Sequence, residues 1–252
     1  MSERPVIERE FGVPIAGEIL DPARWAKTAL KKLPAGVIDW PAIFGRGAPL
    51  VVDIGCGNGR FLLGNALARP DHDHVGIDIL PLVLRYATRR ANQRGLSNVR
   101  FAAIDGQRFV AQHLAADSVR EVHLYHPQPF HNPRQAARRL IAPAFLAQVH
   151  RVLEPGGRLF VQTDNAPYWR YVQQVVPVFF DWQKRPFPWP DAPQGRTRRE
   201  IIALRRGLAV YRGWGTRRAL SEAEMRALVE TLPPPIFDAG PRLRDLDEME
   251  RE

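Results

Sequence analysis

Residues 49–60 read PLVVDIGCGNGR, a short apolar run that ends in three glycines at alternate positions. Such a run, bounded by turn formers, fits a strand buried on both faces. Gly55, Gly57 and Gly59 let the backbone fold back tightly, and Asp53 stands two residues before the first of them. Helical spacing resumes at once in RFLLGNALARP (60–70). Strand, glycine turn and helix open a β-α-β unit, and in such sheets ligands sit at the carboxyl ends of the strands.

The alternation continues outward from there. Strands are expected at HVGIDI (74–79), NVRFAAID (98–105), VREVHLY (119–125) and RLFVQTD (158–164). Between them, helical spacing runs through PLVLRYATRRANQRG (81–95) and GQRFVAQHLAA (106–116). It returns in RRLIAPAFLAQVHRVLEPGG (138–157), stopped by Pro-Gly-Gly, and in APYWRYVQQVVPVF (166–179). The expected fold is α/β and Rossmann-like, with a mostly parallel central sheet and helices on both faces. Residues 1–47 form an extension with a helix expected in PARWAKTALKKL (22–33). Residues 48–232 form the main domain, with an irregular loop at RPFPWPDAPQG (185–195), and 233–252 are expected to be a weakly ordered tail.

A chain of 252 residues with 45% hydrophobic content can bury the core of one large domain. No stretch approaches the roughly 18 apolar residues of a membrane span, and MSERPVIERE lacks the apolar segment of a secretory signal. Cys56 is the single cysteine, so no intramolecular disulfide can form; a cytoplasmic protein is expected. The net charge of +9 suits an anionic partner such as RNA or DNA. Only four of the 36 basic residues are Lys, and an arginine bias of this kind also arises from genome base composition.

Asp53, Asp78 and Asp105 end the first three strands of the series. The glycine spacing is G-x-G-x-G, not the G-x-G-x-x-G of dinucleotide folds, and a carboxylate at Asp53 would repel a pyrophosphate. It suits an ammonium group instead. S-adenosyl-L-methionine offers an ammonium, a ribose diol and an adenine to three such acids, and is favoured over NAD. Each acid also has a plainer reading as a helix N-cap, above all Asp105, which opens the GQRFVAQHL helix. Cys56 reads as a small loop residue.

VVDIGCGNG (51–59), GIDI (76–79), NVRFAAID (98–105), HPQPFHNPRQAARRL (126–140), FLAQVHRVLEPGGRLFVQTD (145–164) and TRRE (197–200) follow in one order. Together they resemble the bacterial tRNA (guanine-N7-)-methyltransferases, from about Val51 to about Glu200. The resemblance implies a class I S-adenosylmethionine-dependent methyltransferase that modifies guanine 46 of tRNA at N7. It implies cofactor contacts at Asp53, Gly55, Gly57, Asp78, Asp105 and Gln128, the last also at the family's catalytic position. It implies substrate contacts at Asn132, Asp164, Thr197, Arg198, Arg199 and Glu200, and RNA-backbone contacts at Arg134, Arg138 and Arg139. The partner implied is tRNA, with no membrane and no metal, the protein acting as a monomer or homodimer.

The departures lie in the Pro-x-Pro stretch. The family places an Asp with a catalytic and cofactor-binding role between the prolines; this chain has Gln128. The family's Trp is Phe130, its Lys is Asn132, and a later Lys is Ala137. Gln keeps an acceptor oxygen but loses the charge. The carboxylates of Asp164 and Glu200 suit guanine's Watson–Crick edge, which presents two adjacent donors, and Phe130 or Trp169 could stack on the base. Eight arginines between Arg196 and Arg218, with Arg134, Arg138 and Arg139, suggest a phosphate-binding rim, since few acids are interleaved. Two further readings stay open: a diverged relative that binds S-adenosylmethionine and RNA with weak, altered or no activity, and an NAD-dependent oxidoreductase.

Overall fold

A computed structural model describes residues 7–251, so residues 1–6 and 252 of the two expected appendages lie outside the description. The segment before the sheet opens with a small hairpin, β1 (Arg9–Glu10) and β2 (Val13–Pro14). A 3-10 turn at Pro22–Arg24 and α1 (Trp40–Phe44) follow. The body then alternates β3 (Leu50–Ile54), α2 (Arg60–Ala68), β4 (Asp73–Asp78), α3 (Pro81–Gln93), β5 (Val99–Ala103), α4 (Gly106–His113) and β6 (Val119–Tyr125). A 3-10 helix at Pro133–Arg138 leads to α5 (Pro143–Val152), β7 (Leu153–Thr163) and α6 (Ala166–Phe179). The chain closes with β8 (Phe180–Arg185), α7 (Arg198–Arg205), β9 (Tyr211–Arg217), α8 (Glu222–Thr231) and α9 (Arg244–Arg251).

The seven-stranded sheet has the order β5-β4-β3-β6-β7-β9-β8. Its first five strands run parallel, and β9 and β8 join antiparallel. The order reverses between β3 and β6, so the turns after these two strands flank the switch-point crevice where ligands bind in open α/β sheets. The period of two along each strand sends side chains to opposite faces. Val52, Ile54, Val122, Leu124, Leu159 and Val161 join one apolar cluster with α4, α5 and α6. Phe101, Tyr125 and Phe160 join the other with α2 and α3. This is the expected mostly parallel architecture.

Four local expectations give way. No helix forms over 22–33 beyond the 3-10 turn. Thr28 and Leu30 instead pair with the free edge of β5, where Phe101 N–H donates to Thr28 O (2.8 Å) and Leu30 N–H to Phe101 O (2.7 Å). Edge hydrogen bonding outweighs a modest helical propensity. Arg138 and Arg139 precede α5, because Pro143 opens that helix. The helix ends at Val152 before the Pro-Gly-Gly, which forms a bulge in β7: register moves from Val119↔Leu153 to Glu121↔Arg158. The stretch after Pro233, expected to be weakly ordered, lies against the body, with Pro235, Ala239 and Leu246 buried and α9 packed on α7.

Candidate active site

The carboxyl ends of β3, β4, β6 and β7 form one edge. The glycine loop leaves β3 with Gly55 and Gly57 at positive φ (79° and 53°), and a Cβ on either would meet no atom within 4 Å. Open space therefore fronts the loop. Gly59 is different: a Cβ there would come within 2.8 Å of Ala87 on α3, so it is a packing glycine. Asn58 Nδ2 donates to Glu10 Oε1 (2.6 Å), which ties the loop to the hairpin.

Asp53 is 2% exposed, and its Oδ1 has no hydrogen-bond partner among the described residues. Burial, and then the charge of Asp78, push its carboxyl well above the usual range. An orphaned buried carboxylate oxygen costs free energy unless a donor meets it. An ammonium arriving in the open space would be such a donor, so the residues fit the amino-acid end of S-adenosylmethionine. Asp78 clamps the loop: Oδ2 accepts from Gly57 N–H (3.0 Å) and Oδ1 from Leu80 N–H (2.9 Å). Asp105 is exposed and caps α4 through Arg108 N–H (2.9 Å).

Gln128 is exposed in the turn beyond β6, where His126 and Phe130 hold positive φ (51° and 43°). Such backbone in non-glycine residues costs free energy and gathers at functional sites. Asn132 is exposed and caps the 3-10 helix through Arg134 N–H (3.0 Å). Arg134 and Arg138 are exposed, with Arg138 lying 5.1 Å from the centroid of the Phe130 ring. Arg139 corrects the phosphate-rim reading. It is 1% exposed and donates to the carbonyls of Pro129 (2.6 Å), Phe130 (3.0 Å), Pro235 (2.7 Å) and Phe237 (2.9 Å). A guanidinium committed to four carbonyls is a structural tie and has no face left for RNA.

Asp164 follows β7. Its Oδ1 accepts from His126 Nδ1 (3.1 Å) and its Oδ2 from Arg199 Nε (2.9 Å). Burial works to raise its pKa, but His126 and Arg199 outweigh burial and hold the carboxyl well below the usual range. The tautomer of His126 follows from a chain of contacts. Trp189 Nε1–H can only donate, and does so to Gln162 Oε1 (2.7 Å). That fixes the Gln162 amide, whose Nε2 donates to His126 Nε2 (2.9 Å). His126 therefore carries its hydrogen on Nδ1 and donates it in the hydrogen bond to the Asp164 carboxylate. The sequence reading missed His126, Gln162 and Trp189. The available signals were a Gln within an apolar strand run and a His directly before the Pro-x-Pro turn.

Thr197 caps α7, its Oγ1 accepting from Glu200 N–H (3.1 Å). Glu200 also departs from expectation. It is fully buried: Oε1 accepts from Arg212 Nε (2.9 Å) and Nη2 (2.5 Å), and Oε2 from Arg196 N–H (2.7 Å). Thr-x-x-Glu thus works here as a capping arrangement that positions the turn, and Glu200 offers no edge to a base. Arg198 reaches Glu10 Oε1 (3.2 Å) and the Met249 carbonyl (3.0 Å). Arg199 reaches Asp164, Asp247 (3.0 Å) and Glu250 (3.1 Å). Seven of the eight arginines from 196 to 218 are ion-paired, Arg196 and Arg212 with the nearby Asp191 and Glu200 and the other five with acids from other segments. Trp169 stacks on Tyr211 with centroids 5.9 Å apart, so one face of its ring is already taken.

The sheet order and the glycine loop are those of a class I S-adenosylmethionine-dependent methyltransferase. The solved structure of the 16S rRNA methyltransferase KamB shares the fold, with a TM-score of 0.50 and 18% identity, covering 74% of this chain and 100% of that one. Residues 47–194 match a family model described as "Putative methyltransferase". A tRNA (guanine-N(7)-)-methyltransferase of Halorhodospira halophila is 34% identical over 191 residues, 74% of this chain and 83% of that protein. One of Rubrobacter xylanophilus is 32% identical over 175 residues, 68% of this chain and 78% of that protein. The chain belongs to the tRNA (guanine-N(7)-)-methyltransferase family.

Proposed function

We propose that the protein methylates N7 of a guanine in tRNA, guanine 46 by its resemblance, with S-adenosyl-L-methionine as donor. The donor supplies an electrophilic methyl group on a sulfonium. The observation that carries the reading is Asp164, held ionised at the same sheet edge as the orphaned carboxyl of Asp53. Each Asp164 oxygen accepts one hydrogen bond and keeps lone-pair capacity for another. Guanine N1–H and N2–H₂ can fill both, whereas adenine would present an acceptor there. Reading that edge leaves N7 free on the far side of the purine, and the base must leave its stack to be read.

N7 carries no proton, so the chain needs no general base and its task is to position the reactants. Gln128 offers an acceptor oxygen without the charge that would favour the cationic purine, a loss on the order of 3 kcal/mol. Glu200 belongs to the frame, fixing the turn that aims Arg198 and Arg199. Residues 48–232 are the methyltransferase unit in this reading, with 1–47 and 233–252 as appendages. The setting is the cytoplasm and the form a monomer or homodimer, which light scattering separates. No described helix is long and apolar enough to cross a membrane.

The test is methyl transfer from labelled donor to unmodified tRNA, with nucleosides resolved by mass. Label in 7-methylguanosine is expected; its absence rejects the reading. Gln128 favours one second reading, a relative that binds both ligands but has lost turnover. In that case S-adenosylhomocysteine raises the melting temperature, wild type transfers nothing, and Gln128→Asp restores transfer.

A further inference from the structure

The ion pairing of the Arg196–Arg218 cluster raises the question of where the excess positive charge is free. One face answers it. Two adjoining cavities, each about 490 Å³, lie between residues 27–32 and the outer side of α3. Lys27, Lys31, Lys32, Arg85 and Arg89 line them, and no acidic residue does. All five are exposed, and none is ion-paired among the described residues. Three of the chain's four lysines are here.

The face is rigid. Thr28 N–H and Oγ1 both donate to Asn92 Oδ1 (2.9 Å each), and the flanking backbone is bonded to β5. The extended segment therefore turns Lys27, Ala29 and Lys31 outward together. Across the groove, Arg85 and Arg89 are four residues apart on α3, which contains no Asp or Glu. Like charges at that spacing destabilise a helix. Five unneutralised cations on a fixed frame are an electrostatic cost that an anion would relieve. The groove is continuous with the catalytic edge: Pro81, three residues past Asp78, and Ala103, the last residue of β5, both line it. Tyr86, 53% exposed beside it, adds an aromatic face.

We infer that this groove holds the ribose–phosphate backbone of the tRNA substrate, away from the base being modified. The inference rests on the proposed tRNA activity for the identity of the strand. A polyanion fits better than a small anion because the cations extend along two joined cavities, Lys31 facing Arg85 and Arg89 across one and Lys27, Lys31 and Lys32 lining the other.

The experiment measures tRNA affinity against salt for full-length protein saturated with S-adenosylhomocysteine. Wild type is compared with Lys31→Gln/Arg89→Gln and with Arg206→Gln/Arg218→Gln, the latter pair drawn from the ion-paired cluster. Each lost phosphate contact lowers the slope of log affinity against log salt by about 1. The groove variant is expected to lose about two units of slope, with its methylation defect falling on KM and its S-adenosylhomocysteine affinity intact. The cluster variant is expected to keep the wild-type slope. An unchanged slope in the groove variant, or its loss only in the cluster variant, overturns the inference, as does wild-type binding with no salt dependence. Intact groove-dependent binding without 7-methylguanosine would reject the activity and leave the groove standing. If free phosphate competes as well as tRNA does, the groove is a small-anion site and the inference fails.

Discussion

Arg138 and Arg139 are neighbours of one residue type, and the structure gives them opposite fates. The sharpest prediction separates them. Arg139→Met keeps the apolar stem and deletes four donors to carbonyls at 2.6–3.0 Å. Each carbonyl left buried without a donor costs about 1–3 kcal/mol. Some will be re-satisfied by water or by small shifts, so the net loss is set by the scale of broken buried charge networks, about 3–5 kcal/mol. In a chain of this size that lowers Tm by roughly 6–20 °C. Arg139→Lys recovers little, because one ammonium cannot span two pairs of acceptors. Arg138→Ala changes stability by under about 0.5 kcal/mol. Thermal melts followed by circular dichroism, together with the salt dependence of tRNA binding, read both effects. If Arg139→Met melts within about 2 °C of wild type, with the tRNA slope reduced by about 1, Arg139 is a phosphate contact and the structural account is wrong.

Asp53 has a raised pKa from burial and then from Asp78, so the ligand-free fold loses stability as pH climbs from 3.8 through the raised value. An ammonium favours the ionised form; S-adenosylhomocysteine should bind more tightly as pH rises through that window and release a proton. Calorimetry in buffers of different ionisation enthalpy measures the release. Asp53→Asn should abolish it, weaken binding and raise the Tm of the free protein. For Asp164, tRNA carrying inosine at the target lacks the N2 donor and should react roughly 10- to 150-fold less efficiently, the worth of one hydrogen bond to a charged group; in Asp164→Asn that ratio should collapse toward unity. Glu200→Gln leaves Arg212 buried without its partner and should cost about 3–5 kcal/mol, seen as a lower Tm in the presence and absence of ligand alike.

The sheet was legible because each parallel strand and each crossover helix declares its own period, and the glycine loop fixed which end carries the site. Asp164 could be located for the same reason, at the end of a readable strand. Glu200 could not be assigned from sequence: Thr-x-x-Glu spells a helix cap and a substrate contact in the same letters, and only Arg212, folded in from β9, decides between them. The helix expected over 22–33 failed because the free edge of β5 offered the backbone a better partner. The arginine cluster looked unpaired because most of its acids are remote: Glu10 reaches Arg198 across 188 residues, and Asp117 meets Arg217 across 100. Local counting of charge cannot see such partners.

Those long spans also bear on folding kinetics. The contacts that complete the rim join Arg198 to Glu10 and Arg139 to Pro235 and Phe237, over separations of 188, 96 and 98 residues. Closing such loops costs entropy before any contact rewards it, whereas the β-α-β units close over short distances. The rim is therefore expected to assemble after the sheet and to open before it. In native-state hydrogen exchange, the amides of β1 and α9 should trade deuterium through sub-global openings while those of β3 and β6 wait for global unfolding.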